Sequence, residues 1–524
     1  MTSRTEPAAR GGPLADSTRI ALLTALTGAL VLGLLAFLVV PGSGPEQFGS
    51  RIYDEAWLAL RAGEIELPAR LLRYEGHYAP DGTGYIYHGA GPLLLRALLS
   101  PFVDVTQVSL APLSLWVWAV VGCAFYHAAF HAALRADPAG DGVSRPAALL
   151  LGLGTWLAGP GLLLVVNHAL YQEPIAMAFG LSGGVVWLWH RHFVLGRGGA
   201  WSCLLGLGLL AALCLQARPN VAVALYLATG LAALRMLWQL RRQALLPAIL
   251  ALALLAGGIA GYTGYNALRF GDGGVTHGSF EPSQLQYGAI YWGHEDLQGV
   301  RAQTFIEHGR FDPARILPNA FQYLLGPPQA VTRGLARAEQ ELFRAMTFDR
   351  LGYIRIEWPD TGMLFLWCGW VVLAARGLRG ARRGGAGAEG PGQRWPLAGL
   401  GAAFVLSALL TLSYATITLR YHVDLWPLLA VPALAGLAGT RAGTGDARAG
   451  GRGPLLLAGA LGGLVTLVTA AEYADNFRTQ VEGFTAPWDR GFCEEMVQAK
   501  QIPDTEGPAG AGRLAWLCRD PRTG

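Results

Sequence analysis

An adjacent carboxylate pair, Asp54 and Glu55, stands in the stretch YDEAW just beyond the first long apolar run, and a third acid, Glu173, directly precedes Pro174 where a later run begins. Acids at the edge of lipid are costly to hold there, so each calls for a partner or a task. One task is to take a proton from an incoming hydroxyl. Another is to hold a hard divalent ion, which oxygen ligands from Asp54, Glu55 and Glu173 would suit. A plainer role is also open, because an acid in a first helical turn faces a favourable dipole. Three arginines complete the chemistry-bearing set: Arg218 and Arg420 fall in short connections that hold almost nothing else positive, and Arg269 begins a long one. Guanidinium groups grip phosphate bidentately and stay charged at any working pH. The alternative for each is snorkelling to the interface, stronger for Arg269 at the start of a long connection and weaker for Arg420 in a short one.

The elements that must position these groups are transmembrane helices. Hydrophobic residues make up 52% of the 524, charged residues 15%, and mean hydropathy is +0.34, which excludes an ordinary soluble domain. Apolar runs over 20–40, 108–133, 146–166, 174–194, 201–217, 219–238, 244–265, 361–376, 396–415, 422–438 and 454–472 predict an all-α polytopic membrane protein of about eleven helices. The first run lacks a clear cleavage pattern before Pro41 and reads as a retained span.

Arginine sets the orientation, since Lys500 is the only lysine. Arg4, Arg10 and Arg19 precede the first span, and clusters such as Arg235, Arg241, Arg242 and Arg376, Arg379, Arg382, Arg383 recur in alternate connections. The positive-inside rule then puts the amino terminus in the cytoplasm and the carboxyl terminus outside. Segments 41–107, 266–360 and 473–524 fall outside, where Cys493 and Cys518 could pair. The net charge of +4 follows from this topology and gives no reason to expect nucleic-acid binding. The Gly-, Ala- and Arg-rich stretches 375–394 and 439–453 read as cytoplasmic linkers, and no GxxxxGK[ST] offers a nucleotide site. No metal-type His/Cys spacing appears.

The stretch DEAWLALRAGEIELPARLLRYEGHYAPDGTGYIYHGAGPLLLRALLSPF resembles the first outer loop of the glycosyltransferase-C superfamily, which includes protein O-mannosyltransferases and lipid A aminoarabinose transferases. The resemblance maps the family's catalytic carboxylate onto Asp54, with Glu55 beside it. His88-Gly-Ala-Gly-Pro92 replaces a basic residue followed by two prolines. NHALYQEPIAMAFG is similar to a short outer loop with an acid at Glu173. LCLQARPNVAVAL, GYNALRFGDGGVTHG, GRFDPARILPNAFQYLLGPP and TLRYHVDLWPLL resemble motifs of bacterial members in the same order, mapping Arg218, Asn266, Arg269, Arg420, Tyr421 and Asp424.

The resemblance covers about residues 20–440 and implies a cavity roofed by loops 41–107 and 266–360, with 441–524 forming a last helix and an external tail. It implies a glycosyltransferase in the bacterial cytoplasmic membrane that moves a sugar from polyprenyl phosphate to a glycan, lipid or protein hydroxyl. Asp54, Glu55 and Glu173 would act on the acceptor, and His88, Arg218, Asn266, Arg269, Arg420 and Tyr421 would hold substrate. No cofactor is required by this chemistry, a divalent metal stays open, and so does the choice between inversion and retention. Tyr85, Tyr87, Tyr291, Trp292 and Trp358 could stack on sugar or form an interfacial belt. Two other classes compete: a secondary transporter or lipid flippase, and a polysaccharide polymerase or ligase with a polyprenyl-linked donor.

Overall fold

The computed structural model describes residues 13–43, 47–72, 75–135, 143–281, 283–291, 297–382, 391–439 and 452–485. The tail with Cys493 and Cys518 lies outside the described residues.

Apolar runs become helices. A first span, α1 (Asp16–Gly42), leads into a connection containing α2 (Ile52–Arg61), strands β1 (His77–Tyr78) and β2 (Gly84–Tyr85), and α3 (Leu93–Leu99). Then come α4 (Ala111–Arg135), the interrupted pair α5 (Arg145–Trp156) and α6 (Pro160–Val165), α7 (Gln172–Trp189), α8 (Ala200–Ala217), α9 (Pro219–Leu240) and α10 (Arg242–Phe270). A second long connection holds β3 (Gln286–Tyr287), α11 (Val300–His308), α12 (Ile316–Leu325), α13 (Gln329–Leu351) and β4 (Arg355–Ile356). The chain finishes with α14 (Met363–Leu366), α15 (Cys368–Arg382), α16 (Pro391–Leu412), β5 (Thr416–Ile417), α17 (Leu419–Leu425), α18 (Pro427–Gly439) and α19 (Arg452–Thr485). Strands are two residues long throughout, so the described protein is all-helical in architecture. It is a multi-pass membrane protein.

The span count differs from the expectation of eleven. Among the described residues seven helices are long and apolar enough to cross a bilayer, or eight if the bent pair α17 and α18 counts as one span. Helices do occupy the other predicted positions, but physical defects disqualify them. Gln172-Glu173-Pro174 dilutes the apolar run of α7, and arginines fill the end of α15, which a break at Trp367 separates from α14. The apolar part of α16, Pro396–Leu412, is shorter than a span, and α17 meets α18 at 46°.

Several breaks have a local cause. Proline disfavours helical backbone in the residue before it, and Arg218 before Pro219 accordingly has φ −145° and ψ 87°, which separates α8 from α9 and turns the arginine aside. Gly271, with φ 76°, closes α10. Helix contacts in the bilayer rely on small residues: a Cβ on Gly377 would lie 2.0 Å from the Pro432 carbonyl oxygen, and one on Gly436 would lie 2.1 Å from that of Leu373. These glycines let α15 and α18 touch backbone to backbone.

The two long connections interlock at one end of the bundle. β1 pairs antiparallel with β2 and with β3, matching His77 to Tyr85 and to Tyr287. β4 pairs parallel with β5. The first connection also lies on the helix ends, where the Gly91 amide donates to the Gln216 carbonyl at 2.7 Å. A Cβ on Gly89 would come 1.9 Å from that oxygen, so His88-Gly89-Ala90-Gly91 must carry glycine to reach α8. The packing of the first connection against 266–360 is as the sequence suggested.

Candidate functional site

Asp54 and Glu173 are brought together, but by a third residue. Asp54 belongs to the buried face of α2, with Ile52, Tyr53 and Ala56. Arg96 of α3 reaches it with Nε at 2.9 Å, gives Nη2 to a Glu173 oxygen at 2.9 Å and gives Nη1 to the other. Ser109 Oγ donates to Asp54 at 2.7 Å and the Leu110 amide at 3.3 Å, while the Tyr53 ring lies 5.7 Å from the guanidinium. Asp54 and Arg96 have no solvent exposure and Glu173 has 2%. Both Asp54 oxygens are thus spent on donors inside a sealed network that ties α2, α3, α7 and the approach to α4. Glu55 lies half-buried beside it. The Arg96 guanidinium fills the place between Asp54 and Glu173 that a divalent cation would need, and these acids do not form a ligand set. Among the described residues no group of three or more His, Cys, Asp or Glu could hold a metal ion.

Glu173 is two residues from Tyr171, and there the second assembly begins. Arg420 of α17 stacks over Tyr171 at 4.2 Å and binds both oxygens of Glu357 at 2.5 and 3.2 Å. Arg218 donates to Asp424 from Nε at 3.0 Å and Nη2 at 2.7 Å, and Asn220 adds a bond at 3.1 Å. Tyr421 serves both cations, with its ring 4.8 Å from Arg218 and 5.3 Å from Arg420. The structure therefore unites Arg218, Arg420 and Tyr421, with each arginine matched by a carboxylate. Burial alone would raise the Glu357 carboxyl, but Arg420, with Arg355 behind it, holds it down to about 2.

Arg269 and Asn266 support this assembly from behind. Arg269 donates to the Ile86 carbonyl, to the His88 carbonyl at 2.7 Å and to Asn266 at 2.6 Å. Its guanidinium lies 4.0 Å from the Tyr265 ring centre. The two carbonyl contacts fix the path of residues 86–88, so His88 arrives with its ring 3.9 Å from Tyr87 and 6.0 Å from Tyr171. Burial, then the charges of Arg218 and Arg420, push the His88 imidazole well below its ordinary range. His77 packs against His277 at 4.3 Å and Tyr87 at 4.9 Å, and burial with Arg310 nearby lowers it to about 3.

Two charged groups in this cluster carried no sequence signal. Glu75 is half-buried, accepts a hydrogen bond from Tyr171, and faces Arg301, Arg355 and Arg420; burial raises its carboxyl despite them. Arg310 is half-buried, donates to the Gly278 carbonyl at 3.0 Å, and faces Tyr414, Tyr287, Tyr87 and Tyr421. Arg96 was findable, being the lone charge in the apolar stretch GPLLLRALLSPF. Glu357 and Glu75 sit in polar stretches where nothing distinguishes them before the chain folds.

The arrangement brings cations, the Glu75 carboxylate and aromatic faces together. No protein-family model, curated protein or solved structure matches the chain.

Proposed function

We propose that this protein is a membrane glycosyltransferase that moves a sugar from polyprenyl phosphate to a hydroxyl acceptor at the outer face of a bacterial cytoplasmic membrane. The observation that carries this reading is the convergence of Glu75, Arg218, Arg310, Arg420 and four tyrosines where the two long connections meet the helix ends. A lipid-linked donor has its phosphate at that depth, and its transfer needs positive charge for the departing phosphate and a proton acceptor for the hydroxyl. Apolar helices leave the prenyl chain in lipid, while tyrosine faces suit a sugar ring. The proposed placement outside rests on the short connections, whose arginines concentrate at the opposite end of the bundle.

A transport reading draws on a different observation: α17 and α18 form a helix broken at 46°, with Asp424 next to the break and Arg420 at the far end of α17. Proteoliposomes loaded with a panel of radiolabelled polyprenyl-phosphate sugars and supplied with a membrane extract as acceptor source separate the two. Transfer predicts label leaving the lipid for a new product. Label that crosses the bilayer still attached to lipid supports transport and defeats the transferase reading. A product that grows as a polymer would move the assignment to a polymerase or ligase.

A further inference from the structure

The acids around the candidate site differ in what they have left to give. Asp54 accepts from Arg96, Ser109 and the Leu110 amide with no solvent exposure. Glu173 gives both oxygens to Arg96. Glu357 gives both to Arg420, and Asp424 holds Arg218 and Asn220. An ion-paired, desolvated carboxylate is a weak base, because proton transfer to it must first strip a guanidinium of its partner.

Two acids lack a guanidinium among the described contacts, Asp360 and Glu75, and Asp360 is sealed at 1% exposure with its hydrogen bond from Gln322. Glu75 is half-buried, its hydrogen-bond partner is the phenol of Tyr171, and the charges of Arg301, Arg355 and Arg420 act on it with no guanidinium bonded to it among the described contacts. Its backbone is fixed on both sides: the Gly76 amide donates to the Leu72 carbonyl at 3.1 Å, and the Gly76 carbonyl accepts from Gly288 at 2.8 Å. The next residue, His77, opens the sheet that joins the two connections. A carboxylate on such a rigid support can be held in one orientation. Tyr171 ties it to Arg420, whose guanidinium lies over the same ring.

On the transferase reading above, we propose that Glu75, and not Asp54, is the catalytic base that takes the acceptor's proton, and that Asp54 is a structural member of the Arg96 network. The step balances simply. The acceptor oxygen forms a bond to the anomeric carbon, the bond from that carbon to the phosphate oxygen breaks, and the phosphate leaves with the electron pair. The hydroxyl proton passes to Glu75. Burial strengthens this carboxylate as a base, the direction the task requires.

Two measurements test the assignment. Purified protein in lipid discs is treated with a water-soluble carbodiimide and glycine ethyl ester, and the modified residues are mapped by mass spectrometry. Glu75 is expected to be labelled, with Asp54 and Glu173 unlabelled; labelling of Asp54 ahead of Glu75 overturns the assignment without reference to activity. In the transfer assay with radiolabelled polyprenyl-phosphate sugars, Glu75→Gln should reduce turnover by about 10²–10⁴-fold, the usual effect of losing a general base. Its melting temperature should stay near that of the wild type, and Glu75→Asp should recover part of the rate. Glu75→Gln turnover within about tenfold of wild type rejects Glu75 as the base while leaving the transferase reading intact, since a general base is worth more than that. A wild-type protein that labels at Glu75 yet transfers no sugar from any donor defeats the transferase reading, and the base role with it.

Discussion

Removing the Arg96 guanidinium would leave Asp54 and Glu173 buried with like charges facing each other. Breaking such a network from one side costs about 3–5 kcal/mol, because the remaining charge is uncompensated. Arg96→Met should therefore lower the melting temperature sharply, and adding Asp54→Asn and Glu173→Gln to it should recover much of the loss. Equal melting of Arg96→Met and wild type would show that the network holds nothing together. Histidine gives a pH signature with a definite sign. His77 is held to about 3 in the folded protein, chiefly by burial, whereas it titrates near 6.5 when unfolded. Above about 6.5 neither state binds the proton and stability is fully present; towards pH 3 the unfolded chain gains a proton that the folded chain refuses. Melting temperature should fall on acidification through that window, and His77→Phe should lessen the slope. An unchanged slope would mean that the folded protein accepts the proton. The chemistry available at Asp54, Glu173, Arg218 and Arg420 is legible from residue type and position along the chain. Their partners are not: Arg96 lies 42 and 77 residues from its two acids, and Arg420 lies 63 from Glu357. Such pairings are decided by tertiary packing, which no local pattern encodes.

Helix positions follow from apolar periodicity, and each predicted span coincides with helix, but whether each crosses the bilayer does not follow. Gln172, Glu173 and Pro174 dilute α7, and the bend between α17 and α18 falls at Trp426, where Pro427 opens the second helix. Interruptions of this kind break the pattern that would reveal a simple span. Glycine spacing is also unreadable, since its meaning lies in the opposing backbone. At Gly89 a methyl group would meet the Gln216 carbonyl at 1.9 Å, whereas at Gly264 nothing lies within 4 Å. Gly89→Ala should destabilise by about 1–3 kcal/mol or more through overpacking, displacing His88 from Tyr171. Gly264→Ala, on an exposed stretch of α10, should be neutral or slightly stabilising, as helix propensity predicts. Thermal melting of the two purified variants decides; equal effects would contradict the close approach of the first connection to α8.

At the scale of the molecule, the two connections form one assembly over one end of the bundle, so both must lie on the same side of the membrane. Reporter fusions after residues 50 and 300 should both read as external; a cytoplasmic reading at 300 would reverse the orientation drawn from arginine content. Within that assembly Arg310 faces tyrosines and a carbonyl, with no carboxylate among its described contacts. It has donors able to bind a new anion. Arg310→Gln should weaken binding of polyprenyl phosphate more than tenfold with little change in melting temperature, and Arg310→Lys should restore it in part, because lysine lacks the planar fork. The most direct test of the site itself is a structure of the protein in lipid discs with polyprenyl phosphate bound. The account predicts the phosphate between Arg310 and Arg420, with the side open to Glu75 left for the sugar and its acceptor. Lipid phosphate seated at the opposite end of the bundle, with the tyrosine cluster empty, would contradict it.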